Sequence, residues 1–195
     1  MSVDVTLRLD AVQLKSDDRS IVLQQGSSNV VAAGVAGPAG SLSYCGAFSS
    51  TQTQTAAAGS AVAMTLNTTD IGIGVEIQNS SQIVTASPGV WNVQFSAQLQ
   101  KSTGGSEAVC IWLRQNGSDV ANSATDVQVD GNNTALVAAW NWVIRTTAIN
   151  ENVQIMWSSP SGHISLIAVA SRTGPVRPAV PSVIATVTPV LVNPW

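Results

Sequence analysis

Few side chains in this sequence could do covalent or metal chemistry, and their spacing does not gather them. His163 is the only histidine, so any triad with an imidazole base must use it. It follows a Ser159-Pro160-Ser161-Gly162 turn, and Ser158, Ser159 and Ser161 stand beside it in a chain that is rich in serine throughout. No Gly-x-Ser-x-Gly elbow is present. Nucleophile, base and orienting group must converge for acyl transfer, and no such set is singled out. Asp126 and Asp130 flank Val127-Gln128-Val129 and precede Gly131-Asn132-Asn133. Oxygen-rich turns of this kind can hold calcium, but the spacing is not that of an EF-hand loop, and a solvated turn is the ordinary reading. A hydrolase would therefore rest on His163 or on Asp126 and Asp130. Cys45 and Cys110 could form a disulfide, although two buried thiols is the reading favoured here. With one histidine they cannot build a usual structural zinc site. The chain is read as no enzyme, with no cofactor and no metal.

Composition narrows the remaining classes. Charged residues make up 10% of the 195, against about 25% in an average soluble protein. The hydrophobic fraction is ordinary at 45%, so the difference is made up by Ser, Thr, Asn, Gln, Ala and Gly. Neutral polar surface can be covered by another chain without desolvating ions. The net charge is −3 and lysine occurs only at Lys15 and Lys101. No basic run supplies the footprint of a nucleic-acid or anionic-membrane partner. No apolar run is long enough to cross a bilayer, and the first ten residues lack the apolar block of a signal peptide. The four Asn-x-Ser/Thr sequons, at Asn67, Asn79, Asn116 and Asn132, would matter only in a secretory pathway.

The elements that must position these residues are strands. Val109, Ile111 and Leu113 alternate with Cys110, Trp112 and Arg114, a period of two. Asn116-Gly117 follows, two residues that tolerate the positive φ of a tight hairpin. Gly89-Val90-Trp91-Asn92-Val93-Gln94-Phe95 alternates in the same way, as do Val153, Ile155 and Trp157. Strands are expected over 3–14 and 20–25 and again from Leu42 on, with Ala47-Phe48-Ser49 starting the module, followed by 61–66, 71–77, 82–85, 118–129, 136–146, 164–170 and 182–191. Turns are expected near Asp17-Asp18, Ser87-Pro88-Gly89, Lys101–Ser106, Asp130–Asn133 and Asn150. Many short strands with turn signals between them and no helical pattern imply a sandwich or barrel. The N-terminus reads as an arm. Val3, Val5, Leu7 and Leu9 alternate with polar residues, and Ile21, Val22 and Leu23 form the apolar part of a second strand. Seven of the nineteen charged residues precede residue 20. Gly26 to Gly40 reads as a linker, with glycine at 34, 37 and 40. The expected division is an arm and Gly-rich linker over 1–41 and one β domain over 42–195.

These runs resemble a known family. Gly89-x-Trp91-x-Val93-x-Phe95 is similar to the Gly-x-Tyr-x-Phe strand of C1q and tumour-necrosis-factor-like jelly rolls, with Trp91 in place of the usual tyrosine. Ile111-Trp112-Leu113-Arg114-Gln115-Asn116-Gly117-Ser118-Asp119-Val120 looks like versions of this fold in tailed-phage virion proteins. So do Ala139-Trp140-Asn141-Trp142, Met156-Trp157-Ser158-Ser159 and Arg177-Pro178-Ala179-Val180-Pro181. The likeness runs from about Tyr44 to Leu191, and Ser161–Pro181 is longer than in C1q heads. The resemblance implies an all-β antiparallel jelly-roll sandwich, TNF/C1q-like, with an extended N-terminal β arm. It also implies a homotrimer packed through its inner sheets. Trp91, Val93 and Phe95 would enter the sandwich, while Asn92, Gln94 and Ser96 face the three-fold axis. Trp140 and Trp142 share a face that could be core or interface.

The function expected from these readings is structural. The chain would be a trimeric capsid-decoration or short surface-fibre protein of a tailed-phage virion, located in the virion. It would be anchored to other virion proteins through Val3, Val5, Leu7, Leu9, Ile21, Val22 and Leu23 of the arm. The alternative is the receptor- or glycan-binding head of a tail fibre or other adhesin, with exposed tryptophans as sugar platforms on a host surface.

Overall fold

The computed structural model describes the backbone of residues 13–17, 20–25 and 28–31, and backbone and side chains of residues 44–190. By its contacts the chain divides into Met1–Leu42 and Ser43–Trp195. In the first unit, β1 (Gln13–Asp17), β2 (Ser20–Gln25) and β3 (Ser28–Val31) form an antiparallel three-stranded sheet in the order β1-β2-β3. Leu23 of β2 stands between Leu14 and Val30. Residues 28–31 were expected to be linker; they are a strand because Val30 and Val31 are β-branched and Gln25 and Ser28 pair directly across the connection. Val3, Val5, Leu7, Leu9 and the glycine triplets at 34–40 lie outside the described residues. Ile21, Val22 and Leu23 fall in β2.

The second unit is a sandwich of two seven-stranded antiparallel sheets. Its strands are β4 (Cys45–Ser50), β5 (Gln54–Thr55), β6 (Val62–Ala63), β7 (Thr68–Ile73), β8 (Val75–Gln78), β9 (Gln82–Thr85) and β10 (Gly89–Lys101). They continue with β11 (Ser106–Gln115), β12 (Ser118–Asp119), β13 (Thr125–Asp130), β14 (Ala135–Thr146), β15 (Glu151–Ser158), β16 (Ile164–Leu166), β17 (Arg172–Thr173), β18 (Val176–Arg177) and β19 (Val183–Pro189). The first sheet runs β5-β16-β10-β19-β4-β7, with β14 on the other side of β10. The second runs β12-β11-β15-β9-β8, with β13 also on β11 and β6 on β15. A small β17–β18 hairpin stands apart from both.

Alternation builds the core. Trp91, Val93, Phe95, Ala97 and Leu99 of β10 are buried, as are Val109, Ile111 and Leu113 of β11 and Val153, Ile155 and Trp157 of β15. They join one cluster with Phe48, Val183, Ala185 and Val187 from the first sheet. Asn116 and Gly117 both have positive φ, 49° and 82°, and Gln115 pairs with Ser118 across them. This is the tight hairpin that the dipeptide predicts.

Several expected strands are broken, each for a local reason. The run 71–77 is two strands in different sheets: β7 pairs with β4, and β8 pairs with β9. The chain crosses between layers at Gly74, whose φ is +63° and whose added Cβ would lie 1.9 Å from Tyr44 Cδ1. Only glycine fits there. The strand 118–129 is interrupted at Val120–Ala124, where Ser123 Oγ accepts from Leu113 N at 3.0 Å and donates to Val120 O at 2.7 Å. A side chain replaces the ladder at that point. The strands expected at 61–66 and 164–170 shorten to Val62–Ala63 and Ile164–Leu166.

The two sides of the sandwich differ. On one, β7 and β8 are a single run of chain bent across the gap. On the other, β14 pairs only with β10 and β13 only with β11 among the described residues. Trp140 and Trp142 reach inward from β14 on that open side. Phe95 stacks on Trp142, with centroids 5.1 Å apart and planes at 13°. It meets Trp140 edge-on at 4.6 Å. Trp142 Nε1 donates to Ser123 O at 3.0 Å.

Candidate assembly surface

Residues directly opposite each other in an antiparallel ladder project to the same side, so the pairing registers define the outer face of the first sheet. Asn92 pairs with Val143 and Thr188, Gln94 with Asn141 and Thr186, and Ser96 with Ala139 and Ile184. Further out, Ala47 pairs with Thr186 and Ile71, and Cys45 with Ile73. The whole outer face is therefore amides, hydroxyls, small groups and aliphatics. Val143 is 61% exposed, Ile73 55%, Val137 53%, Ile71 47% and Ile184 43%. Asn141 Nδ2 donates to Asn92 Oδ1 at 2.8 Å across β10 and β14. Charge stands only at the margins, at Arg145 beside Val90 and at Asp70, which takes a 3.4 Å bond from Ser49 Oγ. A groove along the β4–β7 edge is lined by Thr68, Asp70, Val169, Val180 and Pro181. It holds no histidine, cysteine or lysine that could act with Asp70.

The sequence-predicted interface residues separate into two groups. Asn92 and Ser96, half-buried, and Gln94, exposed, lie on this outer face as expected. Trp140 and Trp142 share a face with each other, but it is the inner one, opposite Phe95 and Val93 of β10. They pack on the core rather than beside Asn92. The aliphatic part of the face was missed. Its signal was available as the partners of the polar alternation: Val137, Val143 and Ile184 occupy polar-side positions of strands whose other side is apolar.

The candidate chemical residues do not converge. His163 is exposed, and its contacts are through the backbone: its N–H donates to Ser161 Oγ at 3.1 Å and its carbonyl accepts from Ser102 N at 3.0 Å. Ser161 is committed to Glu107, which accepts from its N–H at 3.0 Å and its hydroxyl at 2.7 Å. Burial alone would raise the Glu107 carboxyl, yet the Ser161 bonds and, more weakly, the Lys101 charge hold it below its ordinary range. Lys101 is 2% exposed, and its Nζ is held by the carbonyls of Thr103 at 2.8 Å and Gly104 at 2.6 Å. Asp126 and Asp130 stand on β13 opposite Cys110 and Ser106. Ser106 Oγ donates to Asp130. Among the described residues no three His, Cys, Asp or Glu side chains cluster as metal ligands. Cys45 and Cys110 are free and half-buried, where two buried thiols were expected. They sit in different sheets. Burial, then Asp126 beside it, raises the Cys110 thiol.

Two carboxylates, the exposed Asp119 and the half-buried Glu151, fasten turns. Asp119 accepts from Arg114 Nε at 2.8 Å and Trp112 Nε1 at 2.9 Å, and these bonds, Arg114 first, hold its carboxyl below the ordinary value. Glu151 Oε1 accepts from Thr147 N, Thr147 Oγ1 and Ala148 N, all at 2.8 Å, and Oε2 accepts from Gln115 Nε2 at 2.8 Å and Asn116 Nδ2 at 3.1 Å. The Thr147 bonds foremost pull its carboxyl down to about 2.

No family model and no curated protein sequence matches the chain. Solved structures do. The globular domain of zebrafish complement 1qA protein superposes with a TM-score of 0.51 and 14% identity, over 77% of this chain and 99% of that one. The Eiger TNF of S. frugiperda reaches a TM-score of 0.49 with 8% identity over 78% and 96% of the two chains. Murine APRIL reaches 0.46 with 7% identity over 74% and 97%. At 14% identity the first of these likenesses speaks to fold alone: the second unit is an all-β jelly-roll sandwich similar to the C1q globular domain.

Proposed function

We propose that the protein is a non-enzymatic structural component of a tailed-phage virion. It is a homotrimeric capsid-decoration or short surface-fibre protein whose jelly rolls meet through the outer face of the first sheet, and whose N-terminal arm joins it to other virion proteins. The observation that carries this reading is the face itself. A sheet face turned to water ordinarily carries charged side chains; this one carries amides, hydroxyls and five large aliphatics at least 43% exposed. Covering it buries apolar area and desolvates no ion. Three copies arranged head to tail about an axis near Gln94 close a ring in which each covers part of the next. The phage setting is supported by the sequence likeness of the Ile111–Val120 hairpin and the two Trp-bearing strands, and the arm's role by its separate strands and charge.

The glycan-binding alternative has no comparable support among the described tryptophans. Trp91 and Trp157 are buried, Trp112 and Trp142 have their indole N–H groups engaged, and Trp140 packs on Phe95.

The test has two parts. Light scattering of the full-length protein gives the mass of three chains, and Gln94→Arg, which places like charges around the axis, gives single chains with an unchanged far-ultraviolet spectrum. A wild-type monomer at every concentration ends the trimer reading. Particles assembled with a chain lacking residues 1–40 carry none of it; full occupancy by that shortened chain ends the anchoring reading.

A further inference from the structure

Asn116 is the only asparagine of the chain that is followed by glycine, and the pair can do more than turn the β11–β12 hairpin. An asparagine carboxamide can react with the backbone nitrogen of the next residue, and glycine, with no Cβ to shield that nitrogen, permits it best. Here both residues are exposed. A Cβ added at Gly117 would meet nothing within 4 Å, and the Gly117 N–H donates to no backbone carbonyl among the described residues. Water therefore reaches the nucleophile freely. The carboxamide is not free in the same way. Its Oδ1 accepts from Asn152 N at 2.9 Å, and its Nδ2 donates to Glu151 Oε2 at 3.1 Å. Asn116 N donates in turn to Asn152 O at 3.0 Å, so the side chain adds one more rung between β11 and β15. Glu151 is itself fixed by Thr147, Ala148 and Gln115. Both ends of the carboxamide are thus tied to the β15 side. Closing a ring onto Gly117 N requires Cγ to swing toward the turn's own backbone, which breaks those bonds.

We propose that Asn116 is a latent self-modification site, held shut by Glu151 and Asn152, and that its conversion to aspartate or isoaspartate releases the hairpin from β15. The step balances with water as the one co-reactant. Water or hydroxide takes the proton of Gly117 N, the nitrogen attacks Asn116 Cγ, and the N–Cγ bond forms as the Cγ–Nδ2 bond breaks. Nδ2 takes up a proton and leaves as ammonia, and a succinimide ring remains. Water then adds to one of the two ring carbonyls. Opening at Cγ restores the ordinary chain with aspartate at 116. Opening at the backbone carbonyl carbon leaves the chain linked through the side chain, as isoaspartate. Nothing is oxidised or reduced. Either product conflicts with the closed turn. Aspartate puts an oxygen where Nδ2 stood, 3.1 Å from the Glu151 carboxylate, so two like charges replace a hydrogen bond. Isoaspartate adds a methylene to the backbone of a two-residue turn that sets Gln115 opposite Ser118. The bonds that delay conversion are the ones the product lacks. The turn opens first, then reacts, and does not reclose, so an opening is recorded as a new negative charge. The site belongs to the second sheet, apart from the outer face that holds Gln94, and does not depend on how copies assemble.

The test is peptide mapping of full-length protein incubated at mildly alkaline pH below its melting temperature, with chromatography separating the asparagine, aspartate and isoaspartate forms at position 116. Folded wild type converts about tenfold or more slowly than the same chain in urea, since a charge-assisted bond and a second bond must break before reaction. Glu151→Gln keeps the side-chain shape, but with its oxygen serving the Thr147 and Ala148 donors it turns an NH2 group toward Asn116. Its folded rate rises most of the way to the rate in urea, while its melting temperature and far-ultraviolet spectrum report that the fold is kept. Asn116→Asp stands in for the aspartate product: amide hydrogen exchange at Asn116→Asp itself and at Asn152 becomes faster, while exchange in β10 and β19 stays at the wild-type rate. These results uphold the proposal. Equal rates in folded and urea-unfolded wild type overturn it, as does an Asn116 that stays intact in urea. A folded Glu151→Gln protein that converts no faster than wild type, or an Asn116→Asp protein with wild-type exchange at Asn152, overturns it as well.

Discussion

Replacing Trp91 with phenylalanine should test the centre of the sandwich. The indole is 1% exposed, and its Nε1 donates to Thr146 Oγ1 at 3.0 Å. Thr146 is itself 2% exposed, and its hydroxyl donates onward to Ser87 O at 3.3 Å. The bond therefore ties β10 to β14 and to the turn that leads into β10. Phenylalanine keeps the aromatic contact but removes the donor, which costs about 1 kcal/mol. The smaller ring leaves roughly 40 Å³, worth about 1 kcal/mol more at about 24 cal/mol per Å³. The sum, about 2 kcal/mol, lowers the melting temperature of a unit of this size by roughly 4–8 °C. Calorimetry at neutral pH measures it. A double-mutant cycle with Thr146→Val isolates the hydrogen bond, with a coupling of about 1 kcal/mol expected. A loss below about 0.5 kcal/mol together with no coupling would refute both the packing and the bond.

Two further outcomes follow from the turns. The Glu151 carboxyl is depressed from 4.5 to about 2, so the unfolded chain takes up this proton first. The stability it contributes is whole above the ordinary value and is lost as pH falls from there toward about 2. Denaturant midpoints of Glu151→Gln should accordingly fall less steeply than wild type over that interval, and parallel curves would remove Glu151 from the account. Gly74→Ala forces a Cβ into the Tyr44 ring at a φ that costs an L-residue about 1–2 kcal/mol before the clash is counted. Urea unfolding should place it among the most damaging single-methyl substitutions in the protein; a loss under about 0.5 kcal/mol would mean that the layer crossing is not fixed there.

The sequence disclosed the periods and hid the partners. Alternation in Gly89–Phe95, Val109–Arg114 and Val153–Trp157 separated the two sides of each strand correctly, because a residue's side of a pleat is a local property. Asn116-Gly117 announced its turn for the same reason. Gly74 defeated the reading: Ile71–Ile77 looks like one strand, and only the position of Tyr44 makes the residue between them a crossing between sheets. Alternation set Asn92, Gln94 and Ser96 on one side of their strand, and the family resemblance named that side as the one away from the core. Trp140 and Trp142 could not be assigned to a side without their register to β10, which is a long-range fact. The same register made Val137 and Val143 part of an exposed surface. Glu151 carried no motif, since its five bonds come from a turn on its own side and a hairpin 35 to 36 residues away in sequence.

The first and last strands of the jelly roll are neighbours: Gly46 pairs with Val187 and Ser50 with Val183. Being antiparallel, they bring the start of β4 and the end of β19 to the same end of the sheet. Tension applied between those two points would peel the ladder open one hydrogen bond at a time, with each bond bearing the load alone. Tension that enters at Cys45 and leaves through the opposite end of the sheet would instead load the whole β4–β19 ladder in shear, where the bonds must yield together. A jelly roll tethered at Cys45 is thus mechanically weak against a pull on its own last strand and strong against a pull from its far end.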